Sequence, residues 1–481
     1  MADILLLNPN VRWQGGVWHE IPYSLCLLKG FLNGTYDAKV LDANFDDLTE
    51  EQLVETLKRL NPPVVGMACI SMEYHKVFQR TAQLVRQALP HAPLIVGGVY
   101  ATVLPEQVMS IQEIDYLVMG EGEYRLLAVL NHIHKKEGDL SKVDGLALRQ
   151  QDGSVKIQPV INYIEDLNVF PYPDFSDLDF AAYANVASRY RFFSYPRRFP
   201  STIMVSSRGC PFHCIFCSSS LISGNRIRFR SAEHVLGEID RLVQDYGVKD
   251  IVFLDDNMSL DKRRFKKILQ GLIDRNYDLT WKNNNIAVYT LNDEILELMR
   301  KSGCHQLVLP LESGSLETLR YMKKPIRNLD HVRAVVKKAK ELGFDTCGLF
   351  VIGFPNETWD MIRETVEFAD SLRLDYSSFS IATPLPQTEL LDIVREQNLL
   401  LEGFSFDEKF FFGFGRCSIT TESFTPEELE ILRAYEWDRL NFRTPEQKEV
   451  VARINGLSLE ELEQWRLRTR RDMIKRVKSY G

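Results

Sequence analysis

The stretch SRGCPFHCIFCSSS, residues 207–220, contains three of the chain's eight cysteines, Cys210, Cys214 and Cys217; the other five are scattered. A structural zinc site closes its coordination sphere with four ligands, usually as two separated pairs. No second pair follows here, and His213 sits beside Cys214, where its ring is expected to point away from the thiols. A disulfide needs an even count and an oxidising compartment. An iron–sulfur cluster meets neither objection, because soft thiolates suit iron. Three cysteines on a four-iron cubane leave one iron without a protein ligand, and an open coordination position marks a site that binds something and reacts. The alternative is three unrelated thiols on a buried loop.

Working outward, the loop follows a short apolar run, STIMVSS. Five more runs succeed it: DIVFLDDN, WKNNNIAV, HQLVLPLESGS, FDTCGLFVIGFP and YSSFSIATPLP, with helical periodicity between them. SAEHVLGEIDRLVQDYG shows the grammar of these helices, with Ser231 as N-cap, apolar residues at 235, 236, 239, 242 and 243, and Gly247 just past the end. LNDEILELMRKSG has Asn292 and Gly303 in the same roles. Six βα units over 196–385 predict an open (β/α)6 version of the eightfold TIM-type barrel, with its site at the carboxyl ends of the strands. Asp255, Asp256 and Asn257 end the second strand, Glu312 and Ser313 the fourth, and Gly353 and Pro355 the fifth. Any one of these carboxylates could equally be an N-cap or a loop ion pair.

Before the barrel, ILLLNP, AKVLDAN, VVGMACIS, PLIVGGV and DYLVMGEGE read as buried strands, each followed by a helical segment. They predict a doubly wound, Rossmann-like parallel sheet over 1–140, with ligands beyond the carboxyl ends of its strands. Asn8, Asn10, Asp42, Ser71, Gly97, Gly98, Gly120, Glu121 and Gly122 fall there. Glycines admit a bulky planar or phosphate-bearing ligand close to the backbone, and they also simply form turns. They do not form the dinucleotide fingerprint. Residues 141–195 read as a linker, with a hairpin around RQQDGSVKIQP and a Pro- and Asp-rich stretch after it. Residues 386–481 read as mainly helical, three of the helices opened by Thr or Ser with an acidic or amide residue three positions on. The aromatic FSFDEKFFFGFGRCSI ahead of them is either a lid or a packed loop.

At 481 residues, 45% of them apolar, the chain has ample material for two to four cores. A net charge of −8 argues against a general nucleic-acid surface. The basic RLRTRRDMIKRVK near the end reads as a solvated helix face. No apolar run approaches a membrane span, and MADILLLNPN lacks the charged leader and cleavage site of a signal peptide. A cytoplasmic, reducing setting is expected, which suits free thiols.

CPFHCIFC, with an aromatic before the third cysteine, resembles the CxxxCxxC signature of radical S-adenosylmethionine enzymes. LPLESGS, VIGFPNET and TPLPQTEL resemble later barrel motifs of that superfamily, while IPYSL, GGVYATVLPEQ and GEGE resemble its cobalamin-binding subgroup. The resemblance covers about residues 1–390. It implies that Cys210, Cys214 and Cys217 bind a [4Fe–4S] cluster whose remaining iron is chelated by S-adenosylmethionine, and that reductive cleavage yields a 5′-deoxyadenosyl radical. It further implies Phe216 beside the adenine, Glu312 and Ser313 at the ribose or amino group, and Gly353 along the adenine, with Asp255 and Asn257 as further candidates. Ser71, Gly97, Gly98, Gly120, Glu121 and Gly122 would surround cobalamin, placed by the resemblance between the two domains. The loop after the first strand, NPNVRWQGGVWHEIP, has no DxHxxG motif, so base-off cobalamin without a histidine ligand is expected; His19 and His75 are the alternatives.

What the subgroup does implies methyl transfer from methylcobalamin to an unactivated carbon, or to phosphorus, of a small metabolite, with a flavodoxin-like or other one-electron donor. Ring closure, ring contraction or oxidation without methyl transfer is the alternative on the same cofactors. A tRNA-modifying role is disfavoured by the acidic balance. A non-catalytic cluster or corrinoid sensor would not need LESGS and GFPNET.

Overall fold

The computed structural model describes residues 2–15, 20–69, 71–150, 152–185, 195–406 and 415–480, with backbone alone for 475–480. His19 and the middle of the aromatic segment, 407–414, lie outside the described residues. The chain forms two compact units, residues 1–183 with 219–228, and residues 184–218 with 229–481.

In the first unit, strands β1 (Ile4–Asn8), β2 (Ala38–Asp42), β3 (Val65–Cys69), β4 (Leu94–Gly98) and β5 (Tyr116–Val118) lie in the order β2-β1-β3-β4-β5, all parallel. Near-continuous apolar runs such as Ile4–Leu7 are fully buried because helices cover both faces, as a parallel sheet requires. The predicted hairpin is present as β6 (Leu146–Arg149) and β7 (Val155–Ile157), but it does not stand apart as a linker. β6 pairs antiparallel with β5, so the hairpin extends the sheet to seven strands and the unit runs on to residue 183.

In the second unit, β8 (Ser201–Met204), β9 (Asp250–Phe253), β10 (Thr280–Asn283), β11 (Cys304–Glu312), β12 (Asp345–Ile352) and β13 (Tyr376–Ile381) pair in sequence order, every pair parallel. The intervening helices are capped as their sequences predict. Ser231 Oγ accepts from His234 N and Gly247 closes the helix in the left-handed conformation at φ +65°, while Asn292 accepts from Ile295 N.

The sheet stays open at β13, and helix Pro426–Asn441 covers that edge. Asn441 donates to Ser377 O (2.8 Å) and accepts from Ser377 N (2.7 Å), supplying both bonds that a seventh strand would have made. Each is worth about 1 kcal/mol net, and more if left unmade. Trp437, Phe442, Val451, Ile454 and Leu462 then bury against Tyr376, Cys347 and Val308, which fixes the C-terminal helices on the barrel. Two of those helices carry the expected reciprocal caps, Thr425 with Glu428 and Ser458 with Glu461. At the third, Gln447 accepts from Arg443 N instead of from Thr444 N.

Candidate active site

The cysteine loop leaves the end of β8 and is held from several sides. Asp255, just beyond β9, is fully buried, and its carboxylate accepts from Ser206 N (2.9 Å), Ser206 Oγ (2.7 Å) and Ser207 Oγ (2.5 Å). Burial raises its pKa, and the Ser207 and Ser206 bonds oppose that rise. These bonds engage Asp255 in fixing the entry to the loop. Farther on, Ile215 N donates to Met322 O (3.2 Å) and Ile215 O accepts from Leu390 N (2.8 Å), so the residue between Cys214 and Phe216 is pinned by segments that follow β11 and β13.

None of the three thiols is in a disulfide; Cys210 and Cys214 are partly buried and Cys217 is exposed. Asn257 Nδ2 donates to Cys210 Sγ at 3.0 Å, and Cys214 Sγ faces Lys323 O at 3.9 Å. Burial pushes the Cys214 thiol up to about 11, with Lys324 pulling the other way. Cys210 is raised for the same first reason. Among the described residues no three His, Cys, Asp or Glu side chains converge on a single ion. A cluster asks for something different, since each cysteine takes its own iron and the thiols must stand apart by the width of the cubane. Three thiolates on one loop beside a partly buried cation fit such a group.

That cation was not singled out from the sequence. Lys324 is partly buried, its side chain 13% exposed, and pairs with Glu312 at 2.7 Å. Burial alone would lower its pKa, but Glu312 and the Cys214 and Cys217 thiols outweigh burial and raise it, so Lys324 remains charged. The available signal was KKP, two lysines at the end of the helix after LESGS. Glu312 ends β11 at φ +65°, a conformation rare outside glycine, which marks a strained and over-determined position. Ser313 lies next to it but points into the protein. Its hydroxyl bonds Thr365 Oγ1 (2.7 Å) and accepts from Ser315 N (3.0 Å), so its role here is to fix the loop.

Phe216 meets Phe354 edge-on, ring centroids 5.6 Å apart. Gly353, at φ +91°, and Phe354 both donate their N–H to Glu357 Oε2, at 2.6 and 3.0 Å. Glu357 is raised to about 7 by burial, which those two bonds oppose. The structure therefore brings Cys210 to Asn257, Cys214 to the Glu312–Lys324 pair, and Phe216 to the Gly353 loop.

In the first unit, Ser71, Gly97, Gly98, Gly120 and Gly122 gather at the carboxyl ends of the neighbouring strands β3, β4 and β5. Gly98 is obligatory, since at φ +92° an added Cβ would lie 2.5 Å from Cys69 O. Gly97 and Gly98 are half-buried, leaving a stretch of backbone that a broad planar ligand can approach. Thr102, missed in the sequence, donates to Gly98 O and accepts from Gly120 N, both at 2.9 Å, tying the ends of β4 and β5 together. Ser71 caps a short 3-10 turn by accepting from Glu73 N. Glu121 is buried, paired with Arg228 at 2.8 Å, and accepts from Ile164 N, so its carboxylate is engaged within the unit. His75 is buried and its Nδ1 donates to Met72 O at 3.0 Å.

Two family models match this chain, the radical SAM superfamily over 204–369 and the B12 binding domain over 14–130. The chain is 32% identical over 381 residues to an uncharacterised methyltransferase of Pyrococcus horikoshii, covering 79% of this chain and 80% of the relative. It is 26% identical over 439 residues to cytidylyl-2-hydroxyethylphosphonate methyltransferase of Streptomyces wedmorensis, with coverages of 81% and 80%. It is 28% identical over 415 residues to the anaerobic magnesium-protoporphyrin IX monomethyl ester cyclase of Rubrivivax gelatinosus, with coverages of 84% and 72%. The radical S-adenosylmethionine methyltransferase TsrM of Kitasatospora setae, solved with cobalamin and a [4Fe–4S] cluster, shares the fold at TM-score 0.68 and 20% identity, over 82% of this chain and 75% of that one. With the cysteine loop at the end of the first barrel strand and a B12-type sheet in the same chain, this protein belongs to the cobalamin-dependent radical S-adenosylmethionine enzymes.

Proposed function

We propose that the chain is a methyltransferase that places a methyl group on an unactivated carbon, or on phosphorus, of a small metabolite or natural-product intermediate. The observation that carries this reading is the three-thiol loop, backed by the partly buried Glu312–Lys324 pair, in one chain with a cobalamin-type domain. When bound, the cluster with S-adenosylmethionine supplies the radical and cobalamin carries the methyl group.

The chain's own part is positional. Cys210, Cys214 and Cys217 each hold one iron, and Asn257 donates to the first thiolate. Lys324 offsets negative charge at the other two. Phe216, Phe354 and the Gly353 loop, fixed by Glu357, form the wall for the adenine. Gly97, Gly98 and Gly120, whose Cβ positions would meet Val118, Cys69 and Val160, let the strand ends pack closely and would present backbone to cobalamin. The free state of all eight cysteines suits a reducing, cytoplasmic setting, and a flavodoxin-like or other one-electron donor completes the reading. Among the described residues no helix is long and apolar enough to cross a membrane.

Anaerobic turnover with S-adenosylmethionine carrying a labelled methyl group tests the reading. Methyl transfer gives S-adenosylhomocysteine, 5′-deoxyadenosine and label in the acceptor. The cyclase relative motivates the second reading, ring closure without methyl donation; it gives 5′-deoxyadenosine and no S-adenosylhomocysteine.

A further inference from the structure

Helix Pro426–Asn441 presents two polar side chains to the open edge of the barrel sheet. Asn441 is satisfied by Ser377 N and O and by Trp437 O. Arg433 is not. One of its five N–H groups reaches Phe379 O, at 3.4 Å, while its Nε is sealed from solvent without a partner. Among the described residues no carboxylate forms an ion pair with it. Its charged and titratable neighbours are Tyr376 and a second cation, Arg416. Arg416 lies 3.4 Å from Glu430, whose other oxygen accepts from Cys417 N at 2.9 Å. Among the described residues the neighbourhood holds two guanidiniums and one carboxylate.

A partly buried guanidinium without a counter-ion is costly, and an anionic ligand would complete it. Position points the same way. Leu429, one turn earlier on the same face, is the atom a Cβ on Gly353 would strike, at 2.7 Å. Gly353 leads directly into Phe354, which stacks edge-on with Phe216 of the cysteine loop. Gly415 packs against the guanidinium, where a Cβ would lie 3.0 Å from Arg433 Cζ, so a side chain at this position would press on it.

We propose that Arg433, with Arg416 behind it, binds an oxyanion of the substrate, a carboxylate or phosphate group, one helical turn from the Gly353 loop. The inference rests on the methyltransferase reading only in giving that anion to the substrate. Its fork of donors matches such a group in two-point contact.

The test uses the full chain purified anaerobically with cobalamin, beside R433M and R433K. Iron and corrinoid per chain are measured first: cofactor loading reports on the family reading, and wild-type loading in both variants shows that they fold. Inorganic pyrophosphate is then titrated against chloride at matched ionic strength, following the thermal midpoint and the fluorescence of Trp437, which lies one turn beyond Arg433. Saturable stabilisation of wild type is expected, with affinity lower by roughly tenfold or more in R433M and by less in R433K. No saturable response in wild type, or equal affinity in R433M, overturns the proposal. S-adenosylmethionine affinity by equilibrium dialysis is expected to be the same in wild type and R433M. A matching loss there would assign the cation to the cofactor's own carboxylate and overturn the substrate assignment.

Discussion

At the carboxyl ends of β3, β4 and β5 the chain places Gly97, Gly98, Gly120 and Gly122, and the polar side chains nearby, Thr102 and Glu121, are spent on holding backbone. At the ends of β8, β9, β11 and β12 it places three thiols, three buried carboxylates (Asp255, Glu312 and Glu357) and the partly buried ammonium of Lys324. In both, the parallel strands obey the same rule about where ligands bind. The first edge is backbone packed closely on its own neighbours, since a Cβ on Gly97, Gly98 or Gly120 would press on Val118, Cys69 or Val160. The second supplies ligands and charge to groups that have none of the protein's geometry. Substitutions should therefore fail differently at the two edges: added bulk should break the first, and lost charge or ligand the second.

The largest effect is expected from Cys214→Ala. Iron should be lost and turnover abolished, with corrinoid retained, measured as iron and corrinoid per chain after anaerobic purification with cobalamin. Simultaneous loss of corrinoid would mean that the two edges are not separable.

Gly98→Ala is the converse. The new Cβ meets the backbone of Cys69 at 2.5 Å, and the residue must keep φ +92°, so about 2 kcal/mol or more of stability should go, together with corrinoid binding. Iron content should stay. Wild-type corrinoid loading in this variant would remove the argument that this edge works by presenting backbone.

The same contrast explains what could be read from sequence. Both sheets were legible, because buried parallel strands leave continuous apolar runs and the helices between them are capped by local residues such as Ser231 and Asn292. The three cysteines were legible because ligation needs a residue type and a spacing. The hairpin's pairing was not: Asp-Gly announces a turn, but nothing in Leu146–Ile157 says which sheet edge it joins. Lys324 was missed because its partner Glu312 is twelve residues back, and Arg433 because a cation lacking a counter-ion looks like any other arginine until its neighbours are known. Asp255 and Ser313 were placed at the right strand ends, but position does not tell whether a buried polar group turns to a ligand or to its own loop.

Glu312→Gln sharpens the charged side of the comparison. It leaves the partly buried Lys324 ammonium without its anion, and breaking such a pair from one side costs up to about 3 kcal/mol. Urea unfolding should show that loss, and Glu312→Asp, which keeps the charge, should restore part of it. If Gln and Asp behave alike, the position is fixed by its backbone conformation and not by charge.

The smallest and most specific effect concerns Glu357, whose carboxyl is raised from 4.5 to about 7 by burial under the Gly353 loop. The folded state holds this proton over a range where the unfolded chain has released it. The stabilisation is therefore complete below the unfolded value and is lost as pH rises through about 7. The span corresponds to about 3 kcal/mol. Glu357→Gln keeps a neutral acceptor for the Gly353 and Phe354 N–H groups and cannot ionise, so its stability relative to wild type should grow between pH 5 and pH 8. Asp255, raised in the same direction, is present in both proteins and cancels in the difference. A difference in thermal midpoint that stays constant across this range would mean that Glu357 is ionised throughout, held as an anion by the two backbone N–H groups. The charged edge would then carry one more fixed negative charge beside the adenine wall.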